Sequence, residues 1–175
     1  MTERVGGVTS RGNPLTVVGA MLKPGDAAPE FALPNNMWSL EAVSLAESAG
    51  KVRLINVVPS LNTGICDAQT RRFSEEVGKY GDRVAAYTIS VDLPIAQKQW
   101  CDSAGIDNIQ MLSDYRDMSF GTAYGTHIKE IRIEQRAVFV VDGDGVVRYA
   151  EYVPEIGQHP DYEAALTALQ ETISD

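Results

Sequence analysis

Two nearly continuous apolar runs, with a helical pattern between them, constrain the fold of this chain more than any other feature. The runs span residues 52–58 and 84–91 and are rich in β-branched side chains, which predicts strands covered on both faces of a sheet. The segment between them places four residues on one face of a predicted helix: Cys66, Phe73, Val77 and Tyr80. Strand, helix and strand in this order predict a right-handed crossover between parallel strands.

Local signals extend this pattern in both directions. Asp92 followed by Pro94 predicts a second helix that runs to about Ser103, because Asp caps helices well and Pro is tolerated in a first turn. Towards the start of the chain, residues 5–25 are punctuated by Gly and Pro, and the run at 16–18 predicts a short extended arm or a β-hairpin within residues 1–22. We therefore expect an N-terminal extension before the central sheet.

The last third of the chain predicts antiparallel strands and a closing helix. Residues 137–141 and 146–152 form two apolar runs, and the Asp-Gly-Asp-Gly sequence between them at 142–145 suits a hairpin turn because Gly accepts positive φ. Apolar residues recur at helical spacing from about Asp161. Together the elements predict an α/β protein of the thioredoxin-like fold, with a mixed central sheet flanked by helices and an N-terminal β-hairpin extension.

Length, charge and cysteine content limit the classes of function. No repeat or linker marks a second domain, so residues 1–175 are expected to form a single domain. A net charge of −9 would repel nucleic acids and anionic membranes. The sequence lacks a signal-peptide pattern and any run of about 18 apolar residues, so we expect a cytoplasmic location. Two cysteines are too few for a disulfide scaffold, and the thiols are either inert or chemically active.

One segment lies where a buried strand is predicted to end and a helix to begin, and its sequence is PSLNTGIC at residues 59–66. In the first turn of a helix, Cys66 would meet the positive end of the helix dipole and unpaired N–H groups, which favour the thiolate. Pro59 ends the strand, and Thr63 can cap the helix and hydrogen-bond a bound oxygen atom. A cysteine taken at random is more often a small buried hydrophobe, but these neighbours favour the reactive alternative.

The pattern P-x-x-x-T-x-x-C in this segment is that of the peroxiredoxin active site, and PSLNTGICDAQTRRF resembles the thiol peroxidase subfamily. The segments GNPLTVVG, ISVDLPIAQKQWC, RAVFVVD and PDYEAAL resemble the same subfamily in matching order, so the resemblance runs nearly end to end. It implies an enzyme that reduces hydrogen peroxide and organic hydroperoxides without a bound cofactor. It also implies thioredoxin as the reductant and a homodimer as the assembly.

The resemblance further implies a role for each residue of the site. Cys66 would be the attacking, peroxidatic thiolate, Pro59 and Thr63 would position the peroxide, and Arg136 would supply a guanidinium group. A fixed cation and a hydroxyl can stabilise the negative charge that develops when a thiolate attacks an O–O bond. On sequence grounds alone, Arg132 competes with Arg136 for this role.

The second cysteine has two possible roles. Cys101 is far from Cys66 in sequence, which excludes the C-x-x-C arrangement of dithiol oxidoreductases. The resemblance implies that Cys101 resolves the oxidised enzyme through an intrachain Cys66–Cys101 disulfide. Beside Trp100, it is equally consistent with core packing. The same disulfide could also serve a redox-sensing interaction module, which is the alternative to an enzyme.

The chain departs from the subfamily in two features, and no metal site is expected. Asn62 stands where the subfamily usually has Asp, and Glu134 and Gln135 stand where it tends to be apolar, which leaves the apolarity of the substrate pocket open.

His127 and His159 are far apart in sequence and lack a spaced cluster of other metal ligands. The turn at residues 142–145 lacks the twelve-residue frame of a calcium loop.

Overall fold

The computed structural model describes all 175 residues and contains eleven strands and four α-helices. The strands are β1 (Glu3–Ser10), β2 (Asn13–Val18), β3 (Ala32–Leu33), β4 (Val43–Ser44), β5 (Val52–Val57), β6 (Val84–Ser90), β7 (Gln110–Ser113), β8 (His127–Ile128), β9 (Ile133–Glu134), β10 (Ala137–Val141) and β11 (Val147–Tyr152). The helices are α1 (Gly64–Val77), α2 (Pro94–Ala104), α3 (Ser119–Tyr124) and α4 (Tyr162–Ser174). No helix combines the length and the hydropathy that are needed to cross a membrane.

The central sheet is mixed, as predicted, and its strand order is β11-β10-β5-β6-β7. Strands β5, β6 and β7 are parallel, whereas β10 pairs antiparallel with both β5 and β11. The predicted strand boundaries are correct to within one residue, which is the usual uncertainty at strand ends. Strand β7 and helix α3 were not predicted, because each is too short to show a clear periodicity.

Alternating side chains of the sheet pack into two apolar clusters, one on each face. Phe139 of β10 lies on one face with Phe31, Phe120 and Tyr124. Val138 lies on the other face, where the apolar sides of α1, α2 and α4 cover the sheet. Both clusters are almost fully buried, which explains why the central strands are apolar throughout and do not alternate.

The predicted N-terminal hairpin is present and belongs to a larger sheet. Strands β1 and β2 pair antiparallel, and β8 and β9 extend them into a second sheet in the order β1-β2-β8-β9. The two added strands have two residues each, so no sequence pattern indicates them. This second sheet carries the chain to Gln135 and Arg136 at the entrance to β10.

The prediction that Tyr80 lies on the same helix as Cys66 is wrong. Helix α1 ends at Val77, and Gly78 forms its C-cap, where its N–H bonds to the carbonyl of Ser74. Gly is a poor helix former, costing about 1 kcal/mol relative to Ala, so the chain leaves the helix at that residue. Tyr80 nevertheless packs against the apolar cluster that α1 covers.

Helix α2 begins at Pro94, but the prediction that Asp92 caps it is also wrong. Leu93 is the N-cap residue, and no side chain makes a capping hydrogen bond. The carboxylate of Asp92 is occupied elsewhere, as described below. Helix α4 begins where it was predicted, and Asp161 is its N-cap residue, whose carboxylate accepts a hydrogen bond of 3.0 Å from the Ala164 N–H.

Candidate active site

The sulfur of Cys66 is buried in the first turn of α1, which begins after the turn at residues 58–63 that leaves the carboxyl end of β5. Thr63 is the N-cap residue, with extended backbone angles of φ −106° and ψ 149°. Cys66 therefore occupies the third helical position, and none of its surface is exposed. At this position the N-terminal end of the helix dipole favours a negative charge on the sulfur.

The hydroxyl of Thr63 contacts the sulfur and does not cap the helix. Thr63 Oγ1 lies 2.7 Å from Cys66 Sγ and 3.0 Å from the carbonyl oxygen of Ser60. It makes no hydrogen bond to a backbone N–H of α1. The predicted cap position is thus correct, whereas the predicted capping bond is absent because the hydroxyl points towards the sulfur.

Arg136 places a buried guanidinium group against the same sulfur. Its Nη1 lies 3.4 Å from Cys66 Sγ, and the side chain is almost completely buried. The group is fixed on two sides, because Nη1 donates to Gln69 Oε1 at 2.9 Å and Nη2 donates to the Ile156 carbonyl at 2.9 Å. Its Nε has no partner within the protein.

Arg132, the competing arginine, does not reach the site. Its side chain is exposed, and its Nη2 donates to the carbonyl oxygens of Tyr115 and Arg116 at 3.2 and 3.3 Å. Of the two arginines weighed from the sequence, only Arg136 contacts Cys66.

A buried polar network beneath the sulfur holds Arg136 in place, and sequence analysis missed it. Gln69 accepts from Arg136 and donates to the side-chain oxygen of Asn56 in β5. Asn56 in turn donates to the hydroxyls of Thr70 and Thr88, at 3.0 and 2.9 Å. The available signal was the presence of Asn56 and Thr88 inside otherwise apolar strands, because buried polar groups need partners.

Asp92 anchors the turn that precedes Cys66. Its carboxylate accepts from the Ser60 hydroxyl at 2.8 Å, from the Leu61 N–H at 2.9 Å and from the Ser90 hydroxyl at 2.8 Å. These bonds join the end of β6 to the segment between β5 and α1. Asp92 therefore stabilises the turn of the site, whereas the sequence pattern predicted that it caps α2.

A pocket of about 420 Å³ opens beside the sulfur. It is lined by Pro59, Ser60, Thr63, Gly64, Ile65, Ile133, Arg136, Ile156 and Gly157. Three isoleucines supply its apolar surface. Neither Glu134 nor Gln135 lines it, because Glu134 is buried against the Thr126 hydroxyl and the Gln135 amide donates to the Val153 carbonyl at 2.9 Å.

Cys101 lies in α2, and both thiols are free. Cys101 is half-buried and packs against the same apolar cluster that contains Cys66. Burial raises the pKa of its thiol, and the neighbouring charge of Asp102 adds to the shift while Lys98 opposes it. At neutral pH the thiol form of Cys101 therefore predominates in this conformation.

The remaining titratable residues form no cluster of metal-ligand type. The structure contains no group of three or more His, Cys, Asp and Glu side chains that could hold a metal ion. His127 lies 3.4 Å from the Thr122 hydroxyl, and His159 lies 2.7 Å from that of Tyr162, in separate parts of the molecule.

Comparison with known proteins gives matches over nearly the whole chain. The redoxin family matches residues 23–166, a region that contains both cysteines. A thiol peroxidase of Bacillus subtilis is 55% identical over 163 residues, covering 93% of this chain and 96% of the relative. One of Staphylococcus aureus is 49% identical over 170 residues, covering 97% and 99%. The solved structure of a peroxiredoxin-like protein from Aquifex aeolicus has a TM-score of 0.83 and 36% identity, covering 94% and 96%.

Proposed function

Because the chain belongs to the redoxin family and is a thiol peroxidase, we propose that Cys66 is the thiolate that attacks the peroxide and that Cys101 resolves the product. The observation that carries this proposal is the contact of one buried sulfur with both the Thr63 hydroxyl and the Arg136 guanidinium. Pro59 forms part of the pocket wall that positions the substrate.

The first half of the reaction follows from the donors around the sulfur. The Cys66 thiolate attacks one oxygen of the hydroperoxide, an S–O bond forms and the O–O bond breaks. Cys66 becomes a sulfenic acid, and the second oxygen leaves as water or an alcohol after it gains a proton. Arg136 and Thr63 can stabilise the negative charge on that oxygen, because fixed donors are most effective where water is excluded.

The second half of the reaction uses Cys101. Its thiolate attacks the sulfur of the Cys66 sulfenic acid, an S–S bond forms and water leaves. A dithiol then supplies the two electrons that reduce the disulfide, and thioredoxin is the reductant we propose. The proposal further includes a cytoplasmic homodimer whose subunit is a single domain of residues 1–175.

The lining of the pocket supports organic hydroperoxides as substrates beside hydrogen peroxide. Ile65, Ile133 and Ile156 can pack against an alkyl or aryl group, and burial of apolar area contributes roughly 25 cal/mol per Å². Glu134 and Gln135 do not reduce this apolar surface, because they do not line the pocket.

A coupled assay with thioredoxin, thioredoxin reductase and NADPH tests the function. We expect many equivalents of peroxide to be consumed per enzyme, whereas a pure redox sensor would stop after one. Cys66→Ser should abolish turnover, because a hydroxyl is hardly ionised at neutral pH. Cys101→Ser should retain one round of Cys66 oxidation and lose thioredoxin-dependent turnover. Turnover of Cys66→Ser at the wild-type rate would remove Cys66 from the mechanism.

A further inference from the structure

The two helices that carry the cysteines are joined by a hydrogen bond between the residues next to them. Trp100, which precedes Cys101 in α2, donates from Nε1 to Asp67 Oδ1 at 3.0 Å. Asp67 directly follows Cys66 in α1. The bond therefore connects the first turn of the helix that holds the attacking sulfur to the helix that holds the second thiol.

A third residue reinforces this bond. Arg71 donates from Nε to Asp67 Oδ2 at 2.9 Å, and its guanidinium lies 5.5 Å from the centre of the Trp100 ring. Asp67 thus accepts from a different donor on each oxygen. The Trp100 ring is buried in the apolar cluster that also contains Cys66, so the contact is shielded from water on its ring side.

The residue of α2 that faces Asp67 is Trp100 and not Cys101. Consecutive side chains of an α-helix point about 100° apart around its axis, so Trp100 and Cys101 cannot both face Asp67. The surfaces agree with this geometry. Trp100 and Asp67 line a groove of about 280 Å³ beside the turn before Cys66, whereas Cys101 lines a different groove, together with Ile106 and Met111.

A disulfide needs Cα atoms within about 7 Å of each other and sulfur atoms in contact. Cys66 Sγ is held by Thr63 and Arg136 inside α1, and Cys101 faces a different direction from the residue that touches α1. The sulfurs can meet only if α2 rotates or unwinds, or if the first turn of α1 opens. Any of these movements displaces Trp100 from Asp67.

We infer that the Asp67–Trp100 hydrogen bond is a latch that holds the first turn of α1 and α2 in the peroxide-reducing arrangement, and that it slows disulfide formation because it must open reversibly before Cys101 can attack. Asp67 and Trp100 are thus positioning residues for the step that follows peroxide reduction. The inference depends on the proposed roles of Cys66 and Cys101.

Release of the latch would also activate the second thiol. Burial raises the pKa of Cys101 while α2 is folded, and the thiolate is the form that attacks sulfur. Opening of α2 returns water to Cys101 and lowers its pKa towards the ordinary range. The same movement therefore frees the nucleophile and increases its ionised fraction.

A double-mutant cycle tests the latch in the reduced protein, with Asp67→Ala, Trp100→Phe and the double variant. Each single change removes one partner of the hydrogen bond, but Trp100→Phe also alters packing and Asp67→Ala also removes a carboxylate near the start of the helix. The double-mutant cycle separates these individual effects from the interaction between the two side chains. We expect amide exchange in the first two turns of α1 to quicken roughly tenfold in each single variant, the scale for a hydrogen bond to a charged group. The double variant should show little further change.

The same variants are then treated with one equivalent of peroxide, and disulfide formation is followed by alkylation and mass spectrometry. We expect the disulfide to form roughly tenfold faster in the single variants, with peroxide consumption by Cys66 little changed. The matched control is Glu163→Gln, which removes a 3.1 Å ion pair between Arg72 of α1 and α4. That control should exchange and react like the wild type.

Additive effects of the two changes on exchange, or equal rates of disulfide formation in all variants, would overturn the latch while the assignment of the cysteines stands. A wild-type protein that forms no Cys66–Cys101 disulfide would overturn that assignment, and the role of the latch with it. Non-additive effects of the two changes on amide exchange, together with faster disulfide formation, support both the latch and the assignment of the cysteines.

Discussion

At the scale of single residues, the sulfur of Cys66 receives two different donors from two separate elements. Thr63 comes from the turn before α1, and Arg136 comes from the entrance to β10. The Thr63 hydroxyl has one proton and two acceptors within reach, the sulfur and the Ser60 carbonyl. The hydroxyl can therefore turn from one acceptor to the other by rotation about its C–O bond, without any movement of the backbone.

Replacing Thr63 with Val should slow the oxidation of Cys66 by roughly 10²-fold, the scale for losing one donor to the developing charge. Thr63→Ser, which keeps the hydroxyl, is the matched control and should retain most of the rate. Stopped-flow measurement of oxidation on a Cys101→Ser background separates this step from disulfide formation. Equal rates for the Val and Ser variants would show that the hydroxyl takes no part.

Replacing Arg136 with Met should slow the oxidation of Cys66 by roughly 10²-fold, because the cation stabilises the negative charge that develops on the departing oxygen. Stopped-flow measurement of oxidation on a Cys101→Ser background checks the effect. Arg132→Met is the matched control, since the Arg132 side chain is exposed and donates to two backbone carbonyl groups away from Cys66. A larger effect at Arg132 would mean that the wrong arginine has been assigned.

At the scale of elements, the sequence predicts the residues that contact the reactive sulfur better than it predicts the elements and side chains that hold those residues in place. Strands β5, β6 and β10 could be predicted because continuous apolar runs are typical of covered strands, and Cys66 could be placed because a motif marks the start of α1. Strand β7 and helix α3 could not be predicted, since short elements carry too few periods to be recognised.

The incorrect prediction for Asp92 has a physical cause. Capping is a local signal, but the carboxylate instead bonds to Ser60 and Leu61, which lie some thirty positions earlier in the chain. A pattern read from neighbouring residues cannot reveal such a contact. The same limit applies to Gln69, whose bond to Arg136 depends on how α1 packs against β10.

The burial of α2 predicts a pH dependence for the resolving step. The pKa of Cys101 lies above its ordinary value of 9.0, mainly because burial disfavours the thiolate. Since only the thiolate attacks, disulfide formation should accelerate as pH rises and level off above the pKa of Cys101. Quenched-flow alkylation between about pH 6 and pH 10, a range that includes the ordinary cysteine pKa of 9.0, measures the rate of disulfide formation. A rate that does not vary with pH would mean that ionisation of Cys101 does not limit the step.

At the scale of the whole molecule, two buried carboxyl groups lie next to each other where the second sheet meets the end of β7 in the central sheet. Glu134 of β9 is completely buried beside Asp114, which follows β7. Asp114 accepts from the N–H groups of Phe120 and Gly121, at 3.1 and 2.8 Å, and these bonds partly offset the rise that burial causes in the pKa of Asp114. A Cβ at Gly121 would lie 2.7 Å from Glu134 Oε2, which makes glycine necessary there.

This pair should make the folded state less stable as pH rises. Burial raises the pKa of Glu134 well above its ordinary 4.5. Between 4.5 and the raised value, the unfolded chain is ionised while the folded chain keeps its proton, so the free energy of unfolding falls by up to about 1.4 kcal/mol per pH unit. Glu134→Gln, which cannot ionise, should flatten this slope and be more stable at neutral pH.

Urea unfolding of wild type and Glu134→Gln from pH 4.5 upward measures the effect. The comparison cancels titrations that both proteins share. Glu155, whose pKa is lowered to about 2 mainly by the Thr9 hydroxyl, gives the opposite slope, but only at lower pH. Identical slopes in the two proteins would mean that Glu134 does not retain its proton on folding.

The most direct test of the central claim is peptide mass spectrometry of the reduced protein after one equivalent of peroxide. The roles proposed for the two cysteines predict a Cys66–Cys101 disulfide in the wild type and a trappable sulfenic acid on Cys66 in Cys101→Ser. Cys66→Ser should leave Cys101 as a free thiol under the same conditions. Sulfenic acid that forms first on Cys101, or oxidation of Cys101 at the wild-type rate in Cys66→Ser, would contradict the assignment.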